Sequence, residues 1–174
     1  MMVNLRTTRM PDILRKHEAT ILSDWLKQQF DAAPSRAGRI DDVELREQSR
    51  AFLGLMREAA HGGDLGDVQG PEWSAVREML AGVSSSRARQ GFTSVETATF
   101  VFSLKRPLFA AVRQELGRDP EALADEVWTA TVLLDQLGLH TMEVFQKTRE
   151  AVIARQQEEM LELSTPVVAL WEGV

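Results

Sequence analysis

The sequence contains no cysteine and no tyrosine, and aromatic residues make up 6% of its 174 positions. Without a thiol the chain can form no disulfide, no thiolate nucleophile, no iron–sulfur cluster and no thiolate zinc site. No apolar run approaches the roughly 18 residues that a membrane helix needs, and residues 1–9 lack the apolar core of a signal peptide. These absences predict a cytoplasmic protein with no membrane segment.

The remaining composition is that of a globular domain. Hydrophobic residues make up 44% and charged residues 26% of the chain, which is neither a disordered nor a membrane-spanning composition. The formal net charge is -6. Because nucleic-acid binders usually present a basic surface, this acidic balance argues against a nucleic-acid partner.

The positions of proline and the spacing of apolar residues predict an all-α protein. Most prolines fall where a helix would begin or end, and apolar residues recur three and four positions apart between them. Asp41 or Asp42 can cap the second helix, Thr93 and Glu96 have the spacing of a capping box, and Asp119-Pro120 can begin the last helix. About five principal helices follow, over residues 11–33, 42–61, 71–91, 93–116 and from 120 onward, with a kink expected at Pro107.

The last predicted helix is too long for a domain of this size. No proline interrupts residues 121–165, and a helix of about 45 residues would be roughly 65 Å long. Leu134, Leu137, Met142 and Phe145 are expected to tie its first half to the core, whereas residues 147–162 are mostly charged or glutamine with a thin apolar line. A helix of that kind normally packs against a partner. We therefore predict a dimer and coupling helix that uses the following residues: Met142, Phe145, Val152, Ile153, Met160 and Leu163.

Residues suited to chemistry are sparse. His17, His61 and His140 lie on different predicted helices, and a single Glu58-x-x-His61 pair is half of what a di-iron bundle uses. The sequence has no nucleophile elbow and no phosphate-binding loop. Trp25, Trp73 and Trp128 are interpreted as core residues rather than as a ligand cage. We therefore predict no catalytic residue, no metal and no cofactor.

Residues 155–174 carry a resemblance to a known family. The run Glu-Leu-Ser-Thr-Pro-Val-Val at 162–168, followed by Trp-Glu-Gly-Val at 171–174, resembles the junction between a helix and the first strand of the STAS domain in RsbR-type proteins of the bacterial stressosome. The preceding helices are similar in layout to the amino-terminal domain of the RsbRD-type variant. Residues 166–171 also have the β-branched and aromatic character of a strand. We therefore expect a helical domain over 1–146, a linker helix over 147–163 and the first residues of a truncated STAS domain over 164–174.

The resemblance implies a fold and a function. It implies a globin-like helical bundle that is homodimeric and acts as a non-enzymatic sensory or interaction module in stress signalling. Its output would be the release of an RsbT-like kinase and control of a sigma factor, with RsbS-like and RsbT-like partners bound through a STAS domain beyond Val174. The phosphoacceptors of the family would also lie there, so no phosphorylation is assigned to Ser164 or Thr165.

A globin relationship raises haem as an alternative. A globin-type pocket needs a proximal histidine, but the predicted third and fourth helices contain none, which leaves His140. The alternative function is therefore a helical sensor that binds haem or another small ligand.

Overall fold

The computed structural model describes residues 7–32 and 40–172, with side chains described up to residue 163. Within these ranges the chain forms six α-helices and no strand, so the predicted all-α fold with a long last helix is confirmed. A 3-10 helix over Pro71–Trp73 leads into the third α-helix. The α-helices are α1 (Met10–Asp31), α2 (Asp42–Gly62), α3 (Ser74–Arg89), α4 (Ser94–Phe102), α5 (Lys105–Leu116) and α6 (Pro120–Glu172).

Short-range hydrogen bonds fix the helix starts at the predicted places. The Asp41 carboxylate accepts from the Val43 amide at 3.3 Å, and the Asp119 carboxylate accepts from the Ala122 amide at 3.1 Å. The hydroxyl of Thr93 accepts from the Glu96 amide at 3.1 Å, and the Glu96 carboxylate accepts from the Thr93 amide at 3.3 Å. These bonds satisfy backbone donors that have no partner within the helix, which confirms the predicted caps.

The single helix predicted over residues 93–116 is wrong, because the chain forms two helices there. α4 ends at Phe102 and α5 begins at Lys105, so Pro107 occupies the third position of a new helix rather than a helix interior. A proline has no amide hydrogen to donate and its ring clashes with the carbonyl four residues earlier. Position three is where that amide would have no partner within the helix in any case. The break at Ser103 and Leu104 therefore removes the conflict that a kink was expected to absorb.

The core is built around α6 and an aromatic cluster. α6 packs against α3, α4 and α5, while α1 packs against α2 and α5. Trp25, Phe52 and Phe100 come from α1, α2 and α4, and their ring centroids lie 5.0–5.8 Å apart. Each of these rings is fully buried. Aromatic contacts of this kind add to the free energy gained by removing the rings from water.

The helix α6 continues where a strand was predicted. Residues 166–171 lie within this 53-residue helix, so the strand prediction is wrong. A strand needs a neighbouring strand for its backbone hydrogen bonds, and the described residues provide none, whereas a helix satisfies its own. The side chains of residues 164–172, and residues 173–174 altogether, lie outside the described part. The boundary of a STAS domain at residue 164 stays a prediction.

Candidate interaction surface

The helix α6 has an inner face that belongs to the core. Four of its residues are completely inaccessible to solvent: Ala130, Leu133, Leu134 and Leu137. Further along, Thr141 and Phe145 are also buried. Two hydroxyl contacts join this part of α6 to α3, because Ser84 Oγ donates to the Thr141 carbonyl at 2.8 Å and Ser85 Oγ lies 3.0 Å from Thr148 Oγ1. The inner face therefore holds α6 on the body as far as Thr148.

The opposite side of α6 carries a second, solvent-facing row of side chains. Its positions are separated by alternating steps of four and three residues, which is the spacing of the contact seam in a coiled coil. We call this row the outer stripe. It consists of Trp128, Val132, Asp135, Leu139, Met142, Gln146, Arg149, Ile153, Gln156, Met160 and Leu163.

The outer stripe holds most of the exposed apolar side chains in the described part of the chain. The described part of the chain exposes nine large hydrophobic residues. Six of them lie on the stripe: Trp128, Leu139, Met142, Ile153, Met160 and Leu163. Of the other three, Val43 and Val95 lie on other helices and Leu161 lies on α6 beside the stripe. Soluble monomers rarely align exposed apolar groups in this way. The stripe is therefore the strongest candidate for an interaction surface.

The structure divides the predicted coupling residues between the two faces of α6. Met142, Ile153, Met160 and Leu163 lie on the outer stripe. Phe145 is 6% exposed and belongs to the inner face. Val152 is half-buried beside Arg89 of α3. The expectation that Met142 lies in the core is wrong, because this side chain is 36% exposed on the stripe, whereas Leu134, Leu137 and Phe145 are buried as predicted.

Sequence reasoning missed two members of the stripe. Leu139 is 61% exposed and was not singled out, and the interpretation of Trp128 as a core residue is wrong because it is 69% exposed. Trp25 and Trp73 are buried as predicted. The signal was present in the sequence: continuing the steps of three and four backward from Met142 leads to Leu139 and Trp128.

A negative charge lies near the amino-terminal end of the stripe, at its third position. Asp135 is half-buried between Val132 and Leu139, and its carboxylate accepts a hydrogen bond from Lys105 Nζ at 2.5 Å. Lys105 is the first residue of α5, directly after the break between α4 and α5. A second helix therefore supplies the counter-charge for a carboxylate on the stripe.

The outer part of α6 is charged on the sides that flank the stripe. Lys147 pairs with Glu143 at 3.0 Å, and Arg155 pairs with Glu159 at 3.4 Å, each four residues along the helix. The hydrogen bond from Lys147 lowers the pKa of Glu143 below its usual value. Such exposed pairs stabilise a helix by only a few tenths of a kcal/mol. They support the helical conformation weakly, and their charged groups remain in water.

The histidines do not converge on one site. His17 is buried and its Nε2 lies 2.7 Å from Glu115 Oε1, which also receives Lys16 Nζ at 2.6 Å. Two hydrogen bonds lower the pKa of Glu115 below its usual value, the larger effect coming from Lys16 and the smaller from His17. His140 Nε2 lies 3.3 Å from the Arg77 carbonyl oxygen, and His61 is exposed in the last turn of α2. Among the described residues no group of three or more potential metal ligands occurs.

Comparison with known families decides the relationship. The family model described as the RsbT co-antagonist protein rsbRD N-terminal domain matches residues 19–160. The chain belongs to this family. No curated protein and no solved structure matches it. The predicted relationship to the RsbRD-type amino-terminal domain is therefore confirmed.

Membership in the RsbRD family is consistent with a surface that binds other proteins. The family supports a stressosome-associated amino-terminal domain in a context of protein interaction. The matched range contains the outer stripe from Trp128 to Met160. Within residues 7–32 and 40–172, no helical stretch is both long and apolar enough to cross a membrane.

Proposed function

We propose that this RsbRD domain is a cytoplasmic sensory and interaction module that works as a homodimer. In this proposal α6 carries a conformational bias from the helical body to a following STAS domain. The STAS domain, together with RsbS-like subunits, then controls the release of an RsbT-like kinase and thereby a sigma factor. The observation that carries the proposal is the outer stripe on a helix that belongs to the body at one end and leaves it at the other.

The geometry of α6 supports a coupling role. Its first half is fixed by buried contacts, while the residues after Val152 are exposed as far as Leu163. The whole helix of 53 residues is about 80 Å long at 1.5 Å per residue. A helix is rigid over several turns, and shifts or rotations of helices are established switching movements. A change in how α3 holds Thr141 and Thr148 would therefore be transmitted to the far end.

The outer stripe supports the homodimer. From Trp128 to Leu163 it is about 50 Å long. With a contact width of roughly 10 Å, a pair of helices would bury on the order of 1,000 Å² between two copies, near the lower limit for a specific interface. Four polar or charged residues interrupt the apolar positions: Asp135, Gln146, Arg149 and Gln156. Polar residues at seam positions lower stability but select one alignment of the two helices.

Insertions into α6 of the full-length protein test the coupling role. One residue added after Arg155 rotates everything downstream by about 100°, whereas seven added residues restore the facing and lengthen the helix by about 10 Å. We expect the single insertion to change signalling output, measured with a sigma-factor reporter, far more than the seven-residue insertion does. Equal effects of both insertions, or no effect of either, would show that α6 is only a spacer.

One observation favours a second candidate function, a sensor of a small ligand. A cavity of about 840 Å³ lies between the starts of α1 and α6 and the end of α5, with Trp128 and Leu116 in its lining. Glu126 closes one side, where its carboxylate accepts from Thr8 Oγ1 at 2.8 Å and from the Arg9 amide at 2.5 Å. His140 is not part of this lining. A ligand that co-purifies, identified by native mass spectrometry and lost when Ala122→Trp fills the cavity, would support this function.

A further inference from the structure

We propose that Lys105 is a specificity-determining residue of the interface, because it neutralises the carboxylate that would otherwise oppose pairing along the outer stripe. The partner at this surface is a second copy of the chain, so the inference rests on the proposed homodimer. It adds a residue from α5, outside the coupling helix, to the surface through which two copies associate.

The position of Asp135 makes its charge important. It is the one acidic residue at the stripe positions that the structure describes, and Val132 and Leu139 precede and follow it on the stripe. Its side chain is 48% exposed, and that of Lys105 is 31% exposed. A helix laid along the stripe would therefore remove water from a carboxylate that is still half solvated in the monomer.

The Phe102 ring, together with Asp135, holds the Lys105 ammonium in place. The ammonium lies 5.1 Å from the centre of the Phe102 ring, within the range of a cation–π contact. The Phe102 ring in turn rests against α6 at Gly138, where a Cβ atom would overlap it. At the break between α4 and α5, Ser103 Oγ accepts from the buried Trp25 Nε1 at 2.8 Å. The break thus fixes the start of α5 so that Lys105 faces Asp135.

Removing the Lys105 ammonium would make the association of two copies along the stripe less favourable. A desolvated carboxylate without a partner is strongly unfavourable. With Lys105 present, each copy brings an ion pair without net charge into the contact. The arrangement at the α4–α5 break therefore sets whether the amino-terminal part of the stripe, around Asp135, is compatible with a partner helix.

A double-mutant cycle measured by sedimentation equilibrium tests the inference. We expect Lys105→Met to raise the dimer Kd by about tenfold or more, since it leaves an unpaired carboxylate in the contact. Asp135→Asn should leave the Kd within about threefold of wild type, and the double variant should behave like Asp135→Asn because no charge is left to neutralise. Arg15→Met is the matched control, since it breaks an exposed pair with Asp12 at 3.2 Å on α1.

Each outcome bears on the inference separately from the homodimer itself. If wild type is a dimer and Lys105→Met keeps the same Kd, the inference is wrong and the homodimer stands. If the double variant is as weak as Lys105→Met, the lysine acts through Phe102 packing rather than through charge, which also overturns it. A monomeric wild type would contradict the homodimer and, with it, this inference. Circular dichroism of each variant checks that folding is retained, and the rescue by Asp135→Asn cannot arise from an unfolded protein.

Discussion

At Gly138 no residue with a side chain fits unless the neighbouring residues move. The ring of Phe102 occupies the space where a Cβ atom would lie, so α4 sits directly on the backbone of α6. Glycine in a helix interior costs about 1 kcal/mol relative to alanine. The missing Cβ at Gly138 allows α4 to approach α6 closely, and this approach also places Lys105 beside Asp135.

Replacing Gly138 by alanine should therefore destabilise the fold. Overpacking typically costs about 1–3 kcal/mol, and the better helix propensity of alanine recovers about 1 kcal/mol, so we expect a net loss of about 1 kcal/mol. The matched control is Gly82→Ala, since a Cβ at Gly82 meets nothing within 4 Å; it should gain about 0.5–1 kcal/mol. Urea unfolding followed by circular dichroism measures both changes. A gain at both glycines would show that Phe102 moves freely.

At the scale of the element, α6 combines two faces with different tasks. The inner face holds the helix on the body through buried residues such as Leu134 and Phe145, and the outer stripe stays exposed. Sequence reasoning detected the helix, its start and its course as far as residue 163, because Asp119-Pro120 and the absence of prolines before Pro166 are local signals; the continuation to Glu172 was missed. It did not separate the two faces. A row with steps of three and four can be drawn on either side of a helix, and only packing shows which side the body covers.

Phe145 and Ile153 distinguish the two faces experimentally. Phe145→Ala should cost about 3–5 kcal/mol of folding stability, because it leaves a cavity between α6 and the body. Ile153→Ala, on the outer stripe, should change the unfolding free energy of the monomer by no more than about 0.5 kcal/mol. Chemical unfolding at low protein concentration, where association does not contribute, measures both. Comparable losses at the two positions would mean that the body extends over the stripe.

For the molecule as a whole, the sequence predicted the architecture better than the surface. The capping residues at Asp41, Thr93 and Asp119 and the buried Trp25 and Trp73 were predicted, since caps and helical periods are encoded within a few residues. The separation of α4 from α5, the exposure of Trp128 and the pairing of Lys105 with Asp135 were not. The last two depend on contacts between residues distant in sequence, which a pattern within one helix does not contain. The separation of α4 from α5 has a local cause in Pro107, which was interpreted as a kink rather than as a break.

The central claim is that two copies of the chain pair along the outer stripe, and Met160 and Leu161 test it most directly. These adjacent residues are 70% and 68% exposed, but only Met160 lies on the stripe. A new carboxylate buried in the contact opposes association, whereas one beside it stays solvated. Sedimentation equilibrium at tens of micromolar should therefore find wild type and Leu161→Glu dimeric and Met160→Glu largely monomeric. A monomeric wild type, or equal dimerisation of the two variants, would contradict the claim.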